Sequence, residues 1–110
     1  MITFIEHPIF TKQVQALMND TDYAAMQQEL AADPERGDLI PGLAGLRKVR
    51  VALPGRGKRG GARFIYLLLL RHETIFMFYA YTKGDIADMT PEQKRQLKQL
   101  VMEIKKEFKS

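Results

Sequence analysis

The sequence predicts an α+β fold with a small, mostly antiparallel sheet, an N-terminal helical hairpin and a C-terminal helix, in the order β-α-α-β-β-β-α. Three observations carry this. Two stretches of helical period precede residue 35, three strand-like stretches fall together between residues 46 and 83, and a helix-start signature follows at Thr90. Strands grouped after helices, joined by short turns, argue against a doubly wound parallel sheet. A length of 110 residues is expected to make one domain, residues 1–110, with a small core.

Ile2 to Glu6 is short, β-branched and aromatic, and reads as a first strand. Pro8 suits the first position of a helix, where its missing N–H does no harm, and Phe10, Val14, Leu17 and Met18 then fall on one face. Asn19 and Asp20 break that helix. Asp20 or Thr21 is expected to cap the next one, whose apolar stripe is Tyr23, Met26, Leu30 and Ala31 and which Pro34 ends. Glu35 to Gly45, with Gly37, Pro41, Gly42 and Gly45, reads as a loop.

From Leu46 to Leu53 the residues alternate, with Val49, Val51 and Leu53 on one face and Lys48, Arg50 and Ala52 on the other. Arg63 to Leu70 is apolar on both faces, as a central strand should be. Arg71 to Glu73 is a hairpin turn into a strand over Thr74–Lys83, in which Tyr79, Tyr81 and Lys83 share a face. Thr90-Pro91-Glu92-Gln93 is a capping box with proline at the first helical position. The helix after it has Leu97, Leu100, Val101, Ile104 and Phe108 on one side, and Lys94, Lys98 and Lys105 on a solvated or partner-docking side.

The charge is unevenly placed. Net charge is +4, but residues 1–46 hold seven acids and two bases while residues 47–110 hold fifteen bases and six acids. Leu46 to Tyr66 alone contains Arg47, Lys48, Arg50, Arg56, Lys58, Arg59 and Arg63, and no acid occurs between Leu39 and His72. Such clustering self-repels unless a polyanion answers it, and nucleic acid is the commonest polyanion. There is no cysteine, hence no disulfide or thiolate metal site. No secretory signal and no membrane span is read from the chain, and a cytoplasmic protein without membrane contact is expected. Gly55, Gly57 and Gly60 formally spell G-x-G-x-x-G, but a strand follows rather than a helix, so no helix N-terminus awaits a pyrophosphate. The loop's Arg56, Lys58 and Arg59 read instead as phosphate or ribosomal RNA contacts.

RNA can be cut without metal or cofactor, since its own 2′-hydroxyl can attack the neighbouring phosphate. That reaction needs removal of the 2′ proton, positive charge on the phosphorane oxygens and a proton for the leaving 5′ oxygen. Arginine, with its planar and permanently charged fork, suits the phosphate, and Arg50 and Arg63 are assigned to it. No histidine lies in the basic segment. An ammonium crowded by like charge releases its proton more readily, which makes Lys48 the candidate general base and Lys83 or an arginine the candidate acid. His7 and His72 read as surface or turn residues without the neighbours of a metal site.

The order of elements, the GLRKVRV strand, the GKRGGARFIY segment and the YTKGDIADMTPEQ tail resemble the RelE/HigB superfamily of toxins from toxin–antitoxin pairs, in its HigB-type branch. The resemblance spans nearly the whole chain. It implies a RelE-like fold and an mRNA interferase that cuts mRNA on the translating ribosome, thereby inhibiting protein synthesis. With the 2′-hydroxyl as nucleophile, no metal or cofactor is expected. The resemblance also implies a cognate antitoxin, often one with a helix-turn-helix DNA-binding domain. Carried over by position, it assigns catalytic roles to Lys48, Arg50, Arg63 and Lys83, and RNA contact to Tyr66; the charge cluster adds Arg47, Arg56, Lys58 and Arg59 as RNA or ribosome contacts. RelE-type members add an arginine and a C-terminal tyrosine after that lysine, whereas Gly84 and Thr90 stand here. The stacking role of the tyrosine is therefore open, or falls to Tyr79 or Tyr81. The ParE-like branch keeps the fold and targets DNA gyrase, so a gyrase inhibitor and a non-catalytic basic nucleic-acid binder are the alternatives.

Overall fold

The computed structural model describes residues 1–53, 61–82 and 90–108. Its elements are β1 (Thr3–Glu6), α1 (Pro8–Leu17), α2 (Asp20–Ala32), β2 (Asp38–Leu39), β3 (Leu46–Val51), β4 (Ala62–Leu69), β5 (Thr74–Thr82) and α3 (Pro91–Glu107). The five strands form one sheet in the order β1-β5-β4-β3-β2, parallel between β1 and β5 and antiparallel elsewhere. This is the expected α+β order with one addition: β2, inside the stretch read as loop. Two residues are too few to leave a periodic signal.

β4 lies at the centre, and period-2 alternation splits its side chains between two cores. Phe64 and Tyr66 face the helical hairpin, where Phe10, Val14, Met26 and Leu30 meet Val49 and Met77. Ile65, Leu67 and Leu69 face α3, where Leu97, Val101 and Ile104 meet Leu46 and Phe78. Phe10 and Phe64 touch edge to face with centroids 5.3 Å apart. Each such fully buried side chain contributes about 1.5–3 kcal/mol. Among the described residues no helix is long and apolar enough to cross a membrane.

The ends of the elements show which local signals prevail. Thr90 and Gln93 form the expected reciprocal box, with Gln93 N donating to Thr90 Oγ1 at 3.1 Å and Thr90 N to Gln93 Oε1 at 2.9 Å. The cap of α2 is Asn19, whose Oδ1 accepts from Asp22 N at 2.8 Å, so Asp20 is the first helical residue rather than the cap. His7 caps α1, its Nδ1 accepting from Ile9 N at 3.1 Å. The link between β4 and β5 is a single 3-10 turn, Leu70–His72, closed by Glu73 in the left-handed region at φ 48°. A bulge in the β4–β5 ladder, where Ile65 opposes Tyr79 but Tyr66 opposes Met77, leaves Phe78 as the extra residue, packed toward α3. β1 stops at Glu6, opposite Met77, so farther along β5 the amide of Ala80 turns to Gln13 Oε1 of α1 at 2.8 Å.

Two polar knots tie the hairpin to the sheet. Tyr23 Oη and Thr11 Oγ1 donate to the two oxygens of Glu6 at 2.6 and 2.7 Å. Tyr66, fully buried, donates from Oη to Pro34 O at 2.7 Å and accepts from Gly37 N at 3.0 Å. Gly37 is needed there, because a Cβ would lie 2.8 Å from Tyr66 Oη and 3.1 Å from Lys48 O. Burial, reinforced by the Glu6 carboxylate, pushes the Tyr23 phenol well above its ordinary value of 10.0, and burial also raises Tyr66.

Two outcomes follow. Tyr66→Phe leaves Pro34 O and Gly37 N without their partner and lowers unfolding free energy by about 1–3 kcal/mol in denaturant melts; Gly37→Ala, through overpacking at the same point, also costs about 1–3 kcal/mol. In alkaline titration both raised phenols bind protons that the unfolded chain would release, so their stabilisation is complete below pH ~10 and falls as pH rises past it. Tyrosinate absorbance from Tyr23 and Tyr66 is expected only together with loss of the circular-dichroism signal of the fold; deprotonation of both in a chain that stays folded would refute their burial.

Candidate nucleic-acid interface

The face of the sheet under α3 changes character along its length. Leu46 on β3 and Ile65, Leu67 and Leu69 on β4 are covered by the helix. Toward the C-terminal end of β3 and the N-terminal end of β4 the same face becomes cationic, with Lys48, Arg50 and Arg63. Arg50 lies directly opposite Arg63, and Arg63 directly opposite Tyr81, making a row across three strands. A parallel row runs from Lys48 through Ile65 to Tyr79. Opposed residues in antiparallel strands have Cβ atoms about 4.5–5.5 Å apart and project to the same side.

Lys48 and Arg50 are exposed and Arg63 is half-buried. None of these three takes part in the ion pairs found among the described residues. Two arginines facing each other without a carboxylate between them repel, which is destabilising in a sheet; an anion held by both guanidiniums relieves it. Tyr79 and Tyr81 are partly buried and pack against the α3 core, with one part of each open to the surface. The arrangement can therefore grip a phosphate from two sides and lay an aromatic beside it.

The fold gathers Lys48, Arg50, Arg63, Tyr79 and Tyr81 on one face, but it moves two of the expected residues away. Tyr66 is fully buried on the opposite face, in the hydrogen bonds described above, and has no surface to offer RNA. Arg47 also turns to the hairpin side. Its Nη1 donates to Gly37 O at 2.7 Å and Glu35 O at 3.1 Å, and its Nη2 pairs with Glu35 Oε2 at 3.6 Å. With a side chain only 17% exposed, it anchors the Glu35–Gly37 segment rather than a ligand. Strand parity carried the signal for both corrections. Arg47 is an odd step from Lys48, and Tyr66 three residues from Arg63, so each must point the other way. Arg56, Lys58, Arg59 and Lys83 lie outside the described residues.

One residue of this face was hidden in the expected loop. β2 pairs with β3 so that Asp38 opposes Lys48, which sets a carboxylate against the crowd of positive charge. Among the described residues no three histidine, aspartate or glutamate side chains gather as metal ligands do. Of the lysines on α3, Lys94, Lys98 and Lys105 are all exposed, and Lys105 Nζ donates to Ala44 O. That bond holds a tight turn into β3 in which Ala44 and Gly45 have φ of 56° and 102°.

Comparison with known proteins bears on family and fold. Residues 10–109 match the family model described as the RelE toxin of the RelE/RelB toxin–antitoxin system. The fold is similar to that of the isolated E. coli RelE toxin, with a TM-score of 0.53 at 12% sequence identity, over 91% of this chain and 99% of that one. At such low identity the structural likeness speaks to the fold alone. The family match, by contrast, runs through both helical layers and every strand of the cationic face, and on that ground the chain belongs to the RelE family of toxins from toxin–antitoxin systems.

Proposed function

We propose that this toxin is an endoribonuclease that cuts mRNA on the translating ribosome, through attack of the substrate's own 2′-hydroxyl, and so stops protein synthesis. The observation that carries the reading is the direct opposition of Arg50 and Arg63, with Tyr81 next in the row. Two permanently charged forks converging from adjacent strands suit the oxygens of a phosphorane, whose charge develops in the transition state. Arg50 and Arg63 hold the scissile phosphate, Lys48 and Lys83 serve proton transfer, and Tyr81 or Tyr79 stacks on a base. Arg56, Lys58 and Arg59 extend the grip along the RNA or the ribosome. The ribosome contributes by orienting the mRNA for in-line attack.

The GLRKVRV strand favours the HigB-type branch of the family. A cognate antitoxin carrying a helix-turn-helix domain, and a cytoplasmic site of action, complete the reading. The density of arginine and lysine on one sheet face distinguishes it from the gyrase-directed reading, which has no need to grip phosphates.

The decisive experiment is translation-coupled cleavage with purified ribosomes. Wild-type protein is expected to cut mRNA, and Arg63→Ala and Lys48→Ala to lower the rate by about 10²–10³ each. Cleavage by both variants at the wild-type rate would remove these roles. Supercoiling inhibition with uncut mRNA would replace the activity altogether. Binding of single-stranded RNA separates the phosphate contacts from chemistry. Arg50→Ala is expected to reduce the slope of log K against log salt by about 0.7, the share of one phosphate contact.

A further inference from the structure

A cationic sheet face can stabilise a phosphorane, but it must also accept a proton. Ammonium and guanidinium groups are already protonated at neutral pH and make poor acceptors. β3, β4 and β5 contain no acid and no histidine. The acceptor comes from β2. Asp38 opposes Lys48 in register, so its side chain projects to the face shared by Lys48, Arg50 and Arg63. Asp38 is exposed and takes part in none of the ion pairs among the described residues. The other acid in the sheet, Glu6, stands on the far edge with both oxygens already occupied by Thr11 and Tyr23.

The backbone leading into Asp38 is pinned from two directions. The N–H of Gly37 donates to Tyr66 Oη and its carbonyl accepts from Arg47 Nη1, at 3.0 and 2.7 Å. The same Tyr66 hydroxyl donates to Pro34 O, so the connection from α2 to β2 is held at both ends. Tyr66 and Arg47, which the fold withdraws from any RNA contact, thus fix the place of a carboxylate one residue away. A reacting group needs such a supporting layer to be held in position.

Resting on the endoribonuclease reading above, we infer that Asp38 is the general base of the cleavage and that Lys48, its opposite neighbour, is the acid. The Asp38 carboxylate takes the proton of the 2′-hydroxyl. The 2′ oxygen bonds to phosphorus, the bond from phosphorus to the 5′ oxygen breaks, and that oxygen takes a proton from the Lys48 ammonium. The products are a 2′,3′-cyclic phosphate and a 5′-hydroxyl. Asp38 is left protonated and Lys48 neutral, and transfer of one proton between these cross-strand neighbours restores both.

The test is ribosome-coupled cleavage by wild type, Asp38→Asn, Asp38→Glu and Lys48→Ala. Each acts on an ordinary mRNA and on one whose scissile 5′ oxygen is replaced by sulfur, which leaves as a thiolate without needing a proton. Asp38→Asn is expected to slow cleavage of both substrates by about 10²–10³, with the thermal melt and mRNA binding of wild type, while Asp38→Glu keeps most of the activity. Lys48→Ala is expected to be slow on the oxygen substrate and to recover on sulfur. Undiminished cleavage by Asp38→Asn, or its recovery on sulfur, overturns the assignment while leaving the endoribonuclease reading intact. Wild-type protein that cuts neither substrate overturns that reading, and this inference with it.

Discussion

The structure depends on β4 being covered on both faces, with the half-buried Arg63 near its N-terminal end. Its alternate residues are divided between a core under the helical hairpin and a core under α3. Neither core could form if one face of the strand lacked its helical cover, because half its apolar side chains would then face water. At Arg63 the pattern breaks on the α3 side alone. A half-buried arginine is tolerable at such a place, since a guanidinium can reach solvent while its aliphatic stem lies along an apolar layer. The interface is thus the place where the apolar layer on the α3 side gives way to cationic side chains.

The positioning of that interface is indirect. Its edge strand is only two residues long and would make a weak pair by itself. It is held by residues behind the sheet: Tyr66 fastens Pro34 and Gly37, and Arg47 fastens Glu35 and Gly37. On the other side, Lys105 of α3 ties down Ala44 before the chain enters β3. Both ends of the Gly37–Leu46 segment are therefore fixed by side chains from other layers. The buried bond from Gly37 N to Tyr66 Oη is costly to leave half made, so it favours one placement of β2 rather than several.

The acidic and basic halves of the chain also meet across the sheet. The N-terminal half supplies the hairpin and β2, and the cationic strands follow. Glu35 neutralises Arg47 on the hairpin side, while no such pair reaches Arg50 or Arg63 among the described residues. Charge is compensated where the fold needs rigidity and left uncompensated where a phosphate can supply the missing sign. The family assignment itself rests on the sequence match along residues 10–109.

Much of this was written in local pattern. The two hairpin helices, the alternation of β3, the doubly apolar β4 and the capping box at Thr90 follow from period, proline placement and reciprocal hydrogen bonding, all of which act within a few residues. Strand parity likewise separated Lys48 and Arg50 from the apolar side of β3, and it bears on Arg47 and Tyr66 as well, where the charge cluster and a family position respectively had suggested RNA contact. β2 was beyond reach, since two residues carry no period and their pairing depends on a turn and a tether closed by residues from elsewhere in the chain. Local pattern therefore sets every element but β2, and the sign of their exposed faces. That Arg50 meets Arg63, that Tyr66 is a buried clasp and that Asp38 faces Lys48 emerges only on folding, because register between strands is settled by contacts among residues far apart in the chain.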